Sequence, residues 1–416
     1  MKLPQFPNFP TLPDGSSSEL LKAFRDAQPL DAAAIGQTIE RALASAGIDT
    51  QSSPMKAMQD TIQRALAGTP AGAAWAAPAA ADDVIDVPVR ELREVGEPVS
   101  PPAEPAPPPS APQPGEFVTR SFSNAAGRRN YKLYVPKLHG PQRGSAQAGP
   151  LPLLVMLHGC TQSPDDFAAG TRMNQLAEQH GFLVVYPEQA PKANGSKCWN
   201  WFKAQDQLRD RGEPSLIAGI VREVAASHAV DAQRIFVAGL SAGAAMAVIL
   251  GETYPELFAA VGVHSGLPYR VAHDVPSAFA AMKGSAGTGP LQGAAARPAP
   301  GLRQAVPTIV FHGDQDSTVD RRNGVAVLAQ AQAAHAQQAP LRVSEQRGRV
   351  PGGRAYQRTV YSDAGGRPLL EDWLLHGAGH AWSGGSASGS YTDGAGPDAS
   401  ADMLRFFLAQ RGETQV

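Results

Sequence analysis

From residue 116 onward, short apolar runs alternate with stretches of helical periodicity. Phe117–Phe122 and Asn130–Val135 alternate as strands around the turn Asn124-Ala125-Ala126-Gly127, which predicts a hairpin. Pro152–Leu157, Phe182–Tyr186, Ile235–Ala238, Ala259–His264 and Thr308–Phe311 are apolar at nearly every position, the signature of strands buried on both faces. Between them, Phe167–His180 (stopped by Gly181), Leu216–Ala226 and the Ala/Gln-rich Asn323–Gln337 read as helices. Thr359–Tyr361 and Asp372–Leu375 are late strands, and Met403–Leu408 closes with a helix. Strands alternating with helices predict an α/β domain over 116–411, a mostly parallel sheet with helices on both faces.

The first 115 residues follow another pattern. Ile35, Ile39 and Leu43, then Met55, Met58, Ile62 and Leu66, recur at three or four residues, which predicts amphipathic helices in an extension over 1–97. Their apolar stripes suit packing on each other or docking a granule or protein partner. Nine of the 17 residues from Pro98 to Pro114 are proline, so 98–115 reads as a stiff linker. Gly284–Pro300 is a Gly/Ala/Pro insertion that predicts a surface loop.

Composition narrows the function. The 416 residues carry a formal net charge of −2, which gives no basic field for nucleic acid. No apolar run reaches the length of a membrane span. The N-terminus lacks the apolar core of a signal peptide, so a cytoplasmic location is expected.

The candidate chemistry centres on Gly239-Leu240-Ser241-Ala242-Gly243, where a buried strand runs into an alanine-rich helix. Gly-x-Ser-x-Gly at such a junction is the nucleophile-elbow pattern: a sharp turn lifts Oγ clear, and the following amide points at the developing oxyanion. A serine of ordinary pKa needs a base, and the base needs an orienting carboxylate, following in the order Ser, acid, His. Asp314, Asp316 and Asp320 lie just past the strand Thr308–Phe311; Asp316 is favoured, with the other two as turn caps. His376 and His380 lie further on, and His380, in a glycine-rich loop, is the favoured base. His158-Gly159-Cys160 ends an earlier buried strand, so the oxyanion amides are assigned to Cys160 and Ala242. No His-Glu-x-x-His, Cys-x-x-Cys or phosphate-loop motif occurs; neither metal nor cofactor is implied.

These residues also carry a resemblance. His158-Gly159-Cys160-Thr161-Gln162-Ser163, Cys198-Trp199-Asn200-Trp201-Phe202, the elbow, His264-Ser265-Gly266 and Gly379-His380-Ala381-Trp382-Ser383-Gly384-Gly385 resemble the poly(3-hydroxybutyrate) depolymerase family of esterases, from about 116 to 411. The resemblance implies an α/β-hydrolase with a triad of Ser241, Asp316 and His380, acting on poly- or oligo-3-hydroxyalkanoates. Alternatives are a feruloyl- or acetylxylan-type carbohydrate esterase and, from another class, a polyester-granule-binding protein with a vestigial hydrolase domain. It also implies secretion as the alternative location. Trp199, Trp201 and Trp382 flank the site in sequence. Trp199 and Trp382 are the candidates for an apolar substrate wall, with core packing as the other reading. Cys160 and Cys198, the two cysteines, form a candidate disulfide bracing the oxyanion loop; a reducing compartment would keep them as thiols.

Overall fold

The computed structural model describes residues 115–137, 149–284, 305–336 and 339–412. The helices expected over 1–97, nearly all of the 98–115 linker and the insertion after Gly284 lie outside the described residues.

Ten strands form one sheet. In chain order they are β1 (Glu116–Asn124), β2 (Gly127–Val135), β3 (Leu151–Leu157), β4 (Leu183–Pro187), β5 (Val230–Leu240), β6 (Ala260–His264), β7 (Thr308–Gly313), β8 (Arg342–Arg349), β9 (Ala355–Ser362) and β10 (Pro368–Leu375). Their order across the sheet is β1-β2-β4-β3-β5-β6-β7-β10-β9-β8. The middle, from β4 to β10, is parallel. The β1–β2 hairpin and the β8–β9 hairpin extend it at either end as antiparallel arms.

The apolar runs explain the layers. Successive side chains of a strand point to opposite faces. Leu153, Val155, Leu157 and Val237 therefore meet helices α3 (Gly212–Ser227) and α4 (Ala242–Thr253), through Ile217, Val221, Met246 and Leu250. Leu154, Met156, Phe236 and Ala238 face the other way, onto α1 (Pro164–Thr171), α2 (Met173–His180) and the closing α7 (Ala399–Leu408), through Phe167, Ala177, Phe406 and Phe407. Helices α5 (Val275–Met282) and α6 (Arg322–Ala336) lie on either side of β7 in the chain. Two further short strands, β11 (Trp382–Ser383) and β12 (Thr392–Asp393), pair with each other outside the main sheet.

The structure departs from the pattern-based reading in two places that matter. The single helix expected over Phe167–His180 is two, α1 and α2, broken at Arg172, whose φ of 55° is left-handed. The break frees the Arg172 guanidinium to donate to the Gly384 carbonyl at 2.6 Å and to Asp398 at 3.1 Å. A helix interruption thus anchors the loop that follows His380. Strand β8 carries no apolar pattern that predicts it, because almost all of its residues are exposed and polar.

Candidate active site

Ser241 sits between β5 and α4 with φ 57° and ψ −120°, backbone that a non-glycine residue adopts only under constraint. The constraint is visible on both sides. The Ser241 amide donates to the His264 carbonyl at the end of β6, 2.9 Å away. A Cβ on Gly239 would come within 2.4 Å of the Gly243 carbonyl carbon, and one on Gly243 within 2.1 Å of the Leu157 carbonyl oxygen. Both glycines are needed for this turn to close against β3. Helix α4, apolar all round, is buried on nearly every residue, so the serine rests on a helix packed on all sides.

The three candidate carboxylates past β7 separate cleanly. Asp316 Oδ2 lies 2.8 Å from His380 Nδ1, and its Oδ1 accepts the Thr318 and Val319 amides at 3.0 and 2.8 Å. Burial opposes its charge. The His380 hydrogen bond, the Val319 amide and the neighbouring His312 ring win, and the carboxyl is held below its ordinary value. Asp314 instead takes His376 Nδ1 at 3.0 Å and the Gly377 amide at 2.7 Å, in an exposed pair. Asp320 caps the turn into α6 through the Arg322 amide and guanidinium. A Cβ on Gly313 would lie 2.1 Å from the Ala378 carbonyl oxygen, so the end of β7 and the histidine loop are in backbone contact. Ser241 and His380 make no hydrogen bond to each other among the described contacts. Nucleophile–base contacts in unliganded sites are commonly long and tighten with substrate.

Ala242 is the first residue of α4, so its amide has no acceptor within the helix. Gly243 brings that helix end against the carbonyls of Leu157 and His158, which places the Ala242 amide beside the loop carrying Cys160. Cys160 and Cys198 are joined in a disulfide that ties the loop after β3 to the segment after β4.

The tryptophans require a correction. Trp199 is 0% and Trp382 1% exposed, so neither ring presents a surface to substrate. Trp382 stacks on His264, meets Phe167 edge-on and donates its indole N–H to Ser400. Trp199 packs against the His158 ring, and Trp201 is also buried. Large aromatic rings flanking a site in sequence were drawn inward by the area they bury.

Two residues near the site had no assigned role in the sequence reading. His264 is fully buried, and burial pushes its pKa down to about 3, so it is neutral. Its Nε2 accepts the Ser383 amide at 3.0 Å while its carbonyl accepts Ser241, so one residue links the elbow to the histidine loop. Its presence in the His-Ser-Gly motif was the available signal. Tyr391 is 47% exposed, holds a left-handed φ of 52° and places its hydroxyl 3.2 Å from Thr161 Oγ1, beside Cys160. No pattern in the sequence marks it.

A mostly parallel sheet, a strained serine between strand and helix, and an acid–histidine pair at the carboxyl ends of later strands define an α/β-hydrolase. The structure matches acetyl xylan esterase from Aspergillus awamori with a TM-score of 0.55 at 21% identity, covering 70% of this chain and 99% of that one, a likeness of fold. The family model of the esterase PHB depolymerases matches residues 130–339, half of the chain, and the chain belongs to that family. It is 36% identical over 232 residues to poly(3-hydroxyalkanoate) depolymerase C of Paucimonas lemoignei, covering 55% of this chain and 54% of that protein. It is 31% identical over 216 residues to acetylxylan esterase A of Talaromyces purpureogenus, covering 50% and 53% respectively. The chain spans about half the length of these curated relatives.

Proposed function

We propose that this protein is a serine esterase that hydrolyses carboxylic ester bonds, with poly- or oligo-3-hydroxyalkanoates as its substrates. The observation that carries the reading is the Asp316–His380 hydrogen bond of 2.8 Å, its carboxylate buried, formed beyond the carboxyl ends of the same parallel strands as the strained Ser241. In the reaction, Ser241 Oγ attacks the ester carbonyl carbon and His380 Nε2 takes its proton. Asp316, on Nδ1, keeps the imidazole in the tautomer whose Nε2 is free to accept. The Cys160 and Ala242 amides stabilise the oxyanion. His380 then returns the proton to the leaving alcohol, and water repeats the sequence on the acyl-enzyme.

A second reading, a carbohydrate esterase acting on acetyl or feruloyl groups, is favoured by the relatives named acetylxylan esterase and feruloyl esterase. Both readings share the chemistry and differ in the pocket. The test is a side-by-side product assay on hydroxybutyrate oligomers, amorphous polyester, acetylated xylan and a feruloyl ester, with Ser241→Ala as control. Wild-type protein is expected to release hydroxyacid, and Ser241→Ala to fold normally and lose at least ~10⁴-fold in kcat. Equal turnover by Ser241→Ala would refute the esterase assignment. Polyester binding without hydrolysis by the wild type would support a granule-binding protein instead.

A further inference from the structure

The loop that carries the Cys160 amide is held by a buried imidazole. His158 is 1% exposed, and its Nδ1 lies 2.7 Å from the carbonyl oxygen of Gly159. On its other side, the Gln189 amide donates to His158 Nε2 at 3.1 Å. An amide can only donate, so Nε2 carries the lone pair and Nδ1 carries the proton. The Nδ1–H therefore donates to Gly159. Burial pushes the pKa of this ring down to about 4, which keeps it neutral at neutral pH, and the two contacts choose the tautomer.

The Gly159 carbonyl and the Cys160 amide belong to one peptide group. That group is planar and trans, so its C=O and N–H point in opposite directions. Whatever fixes the carbonyl fixes the aim of the amide. Rotation of this plane about its flanking bonds would re-aim the Cys160 N–H without moving either Cα far.

The neighbours of His158 are themselves fixed. Gln189 donates its side-chain amide to the Cys198 carbonyl at 2.8 Å and to the Glu213 carboxylate. Glu213, buried, also accepts the Asn200 backbone amide at 2.7 Å and Arg129 at 3.1 Å. On the near side, Gln162 Oε1 accepts the Gly159 amide at 2.9 Å. The network thus grips the peptide before Cys160 through its carbonyl, and the disulfide grips the Cys160 side chain.

We propose that His158 is a positioning residue of the oxyanion hole: its Nδ1–H sets the Gly159–Cys160 peptide plane so that the Cys160 amide faces the developing oxyanion. The proposal rests on the esterase reading above. Preorganised donors act only when they are aimed before the charge develops, and loss of one such donor costs about 10²–10³-fold in kcat.

Two substitutions divide the roles of the ring. His158→Asn places an N–H where Nδ1 stood; His158→Gln places an acceptor where Nε2 stood and offers Gly159 nothing. Each variant is assayed on a soluble short-chain ester and titrated with an alkyl boronic acid, which mimics the tetrahedral adduct. His158→Asn is expected to keep kcat within about 10-fold of wild type. His158→Gln should lose about 10²-fold in kcat and a similar factor in boronate affinity, with KM little changed. A role confined to core packing would not set Asn above Gln or separate kcat from KM. Equal losses in the two variants, or full activity in His158→Gln, would overturn the proposal. Should both variants fail to fold, neutron diffraction from the wild-type protein decides: a deuteron on His158 Nδ1 supports the proposal, and one on Nε2 refutes it. Absence of ester hydrolysis by the wild type would count against the esterase reading, while the deuteron position would still decide the hydrogen bond.

Discussion

Asp314 and Asp316 stand two residues apart, and each holds a histidine by Nδ1. Their surroundings give them different work. The Asp316 carboxylate is shielded from water, with two backbone amides on one oxygen, so its position and charge are fixed. Asp314 and His376 are both partly open to solvent, where such a contact is worth at most about 1 kcal/mol and either partner is replaceable by water. Asp316→Asn is therefore expected to cost about 10⁴-fold in kcat, by presenting an amide N–H to His380 and favouring the wrong tautomer. Asp314→Asn should cost less than about 10-fold. Single-turnover acylation with a soluble ester compares the two directly; a crippled Asp314→Asn enzyme would reassign the acid.

Among the elements, those whose two faces are both buried were legible in the chain. β3 to β7 announce themselves as uninterrupted apolar runs, and the elbow by its glycines. Legibility failed where a single side chain or the solvent decided the outcome. Nothing in Phe167–His180 signals a break, because the break serves Arg172 and its partners more than two hundred residues away. β8 reads as coil because an edge strand exposed on both faces needs no apolar alternation, and charge there protects an open edge. The tryptophans misled because proximity in sequence does not say which way a ring turns. For the candidate site, chain order and residue type marked Ser241, Asp316 and His380; the imidazoles of His158 and His264 could not be assigned a task without their hydrogen-bond partners. The disulfide belongs to this scale too, since it joins two loops rather than two residues. Opening it by Cys198→Ser should lower stability by roughly 3–4 kcal/mol in the chain-entropy model, for a separation of 38 residues. Urea unfolding of the variant and of wild type under oxidising conditions measures this; matching midpoints would show that the bond contributes nothing.

Across the whole molecule, stability should respond to mild acid through buried groups. His158 and His312 are pushed down to about 4, and His264 to about 3, from an ordinary value of 6.5, chiefly by burial. Below pH 6.5 the unfolded chain takes up protons that these folded rings refuse, so each imidazole destabilises the fold as pH falls towards 4. Asp206 acts in the opposite sense. Burial, reinforced by nearby Glu213, raises it from 3.8 to about 6, so its contribution is fully present below 3.8 and is lost as pH rises through 6. Asp206→Asn removes that opposing group. The variant is expected to lose stability more steeply than wild type between pH 6.5 and 4, by up to about 1.4 kcal/mol per pH unit. Urea midpoints across this range test it, and parallel pH profiles would contradict it. The order of strands carries a further consequence, for the making of the protein. β10 inserts between β7 and β9, His380 lies beyond it, and Met403 and Phe407 of the last helix sit against Gly262 in the middle of the sheet. On a ribosome, the serine and its carboxylate emerge first and wait on an unfinished sheet in which β7 is paired with β6 on one side only. A nascent chain halted before Pro368 would have an elbow with no base to arm it. Under the proposed assignment, ester cleavage then waits until the chain has been made through His380 and the helix that packs on Gly262.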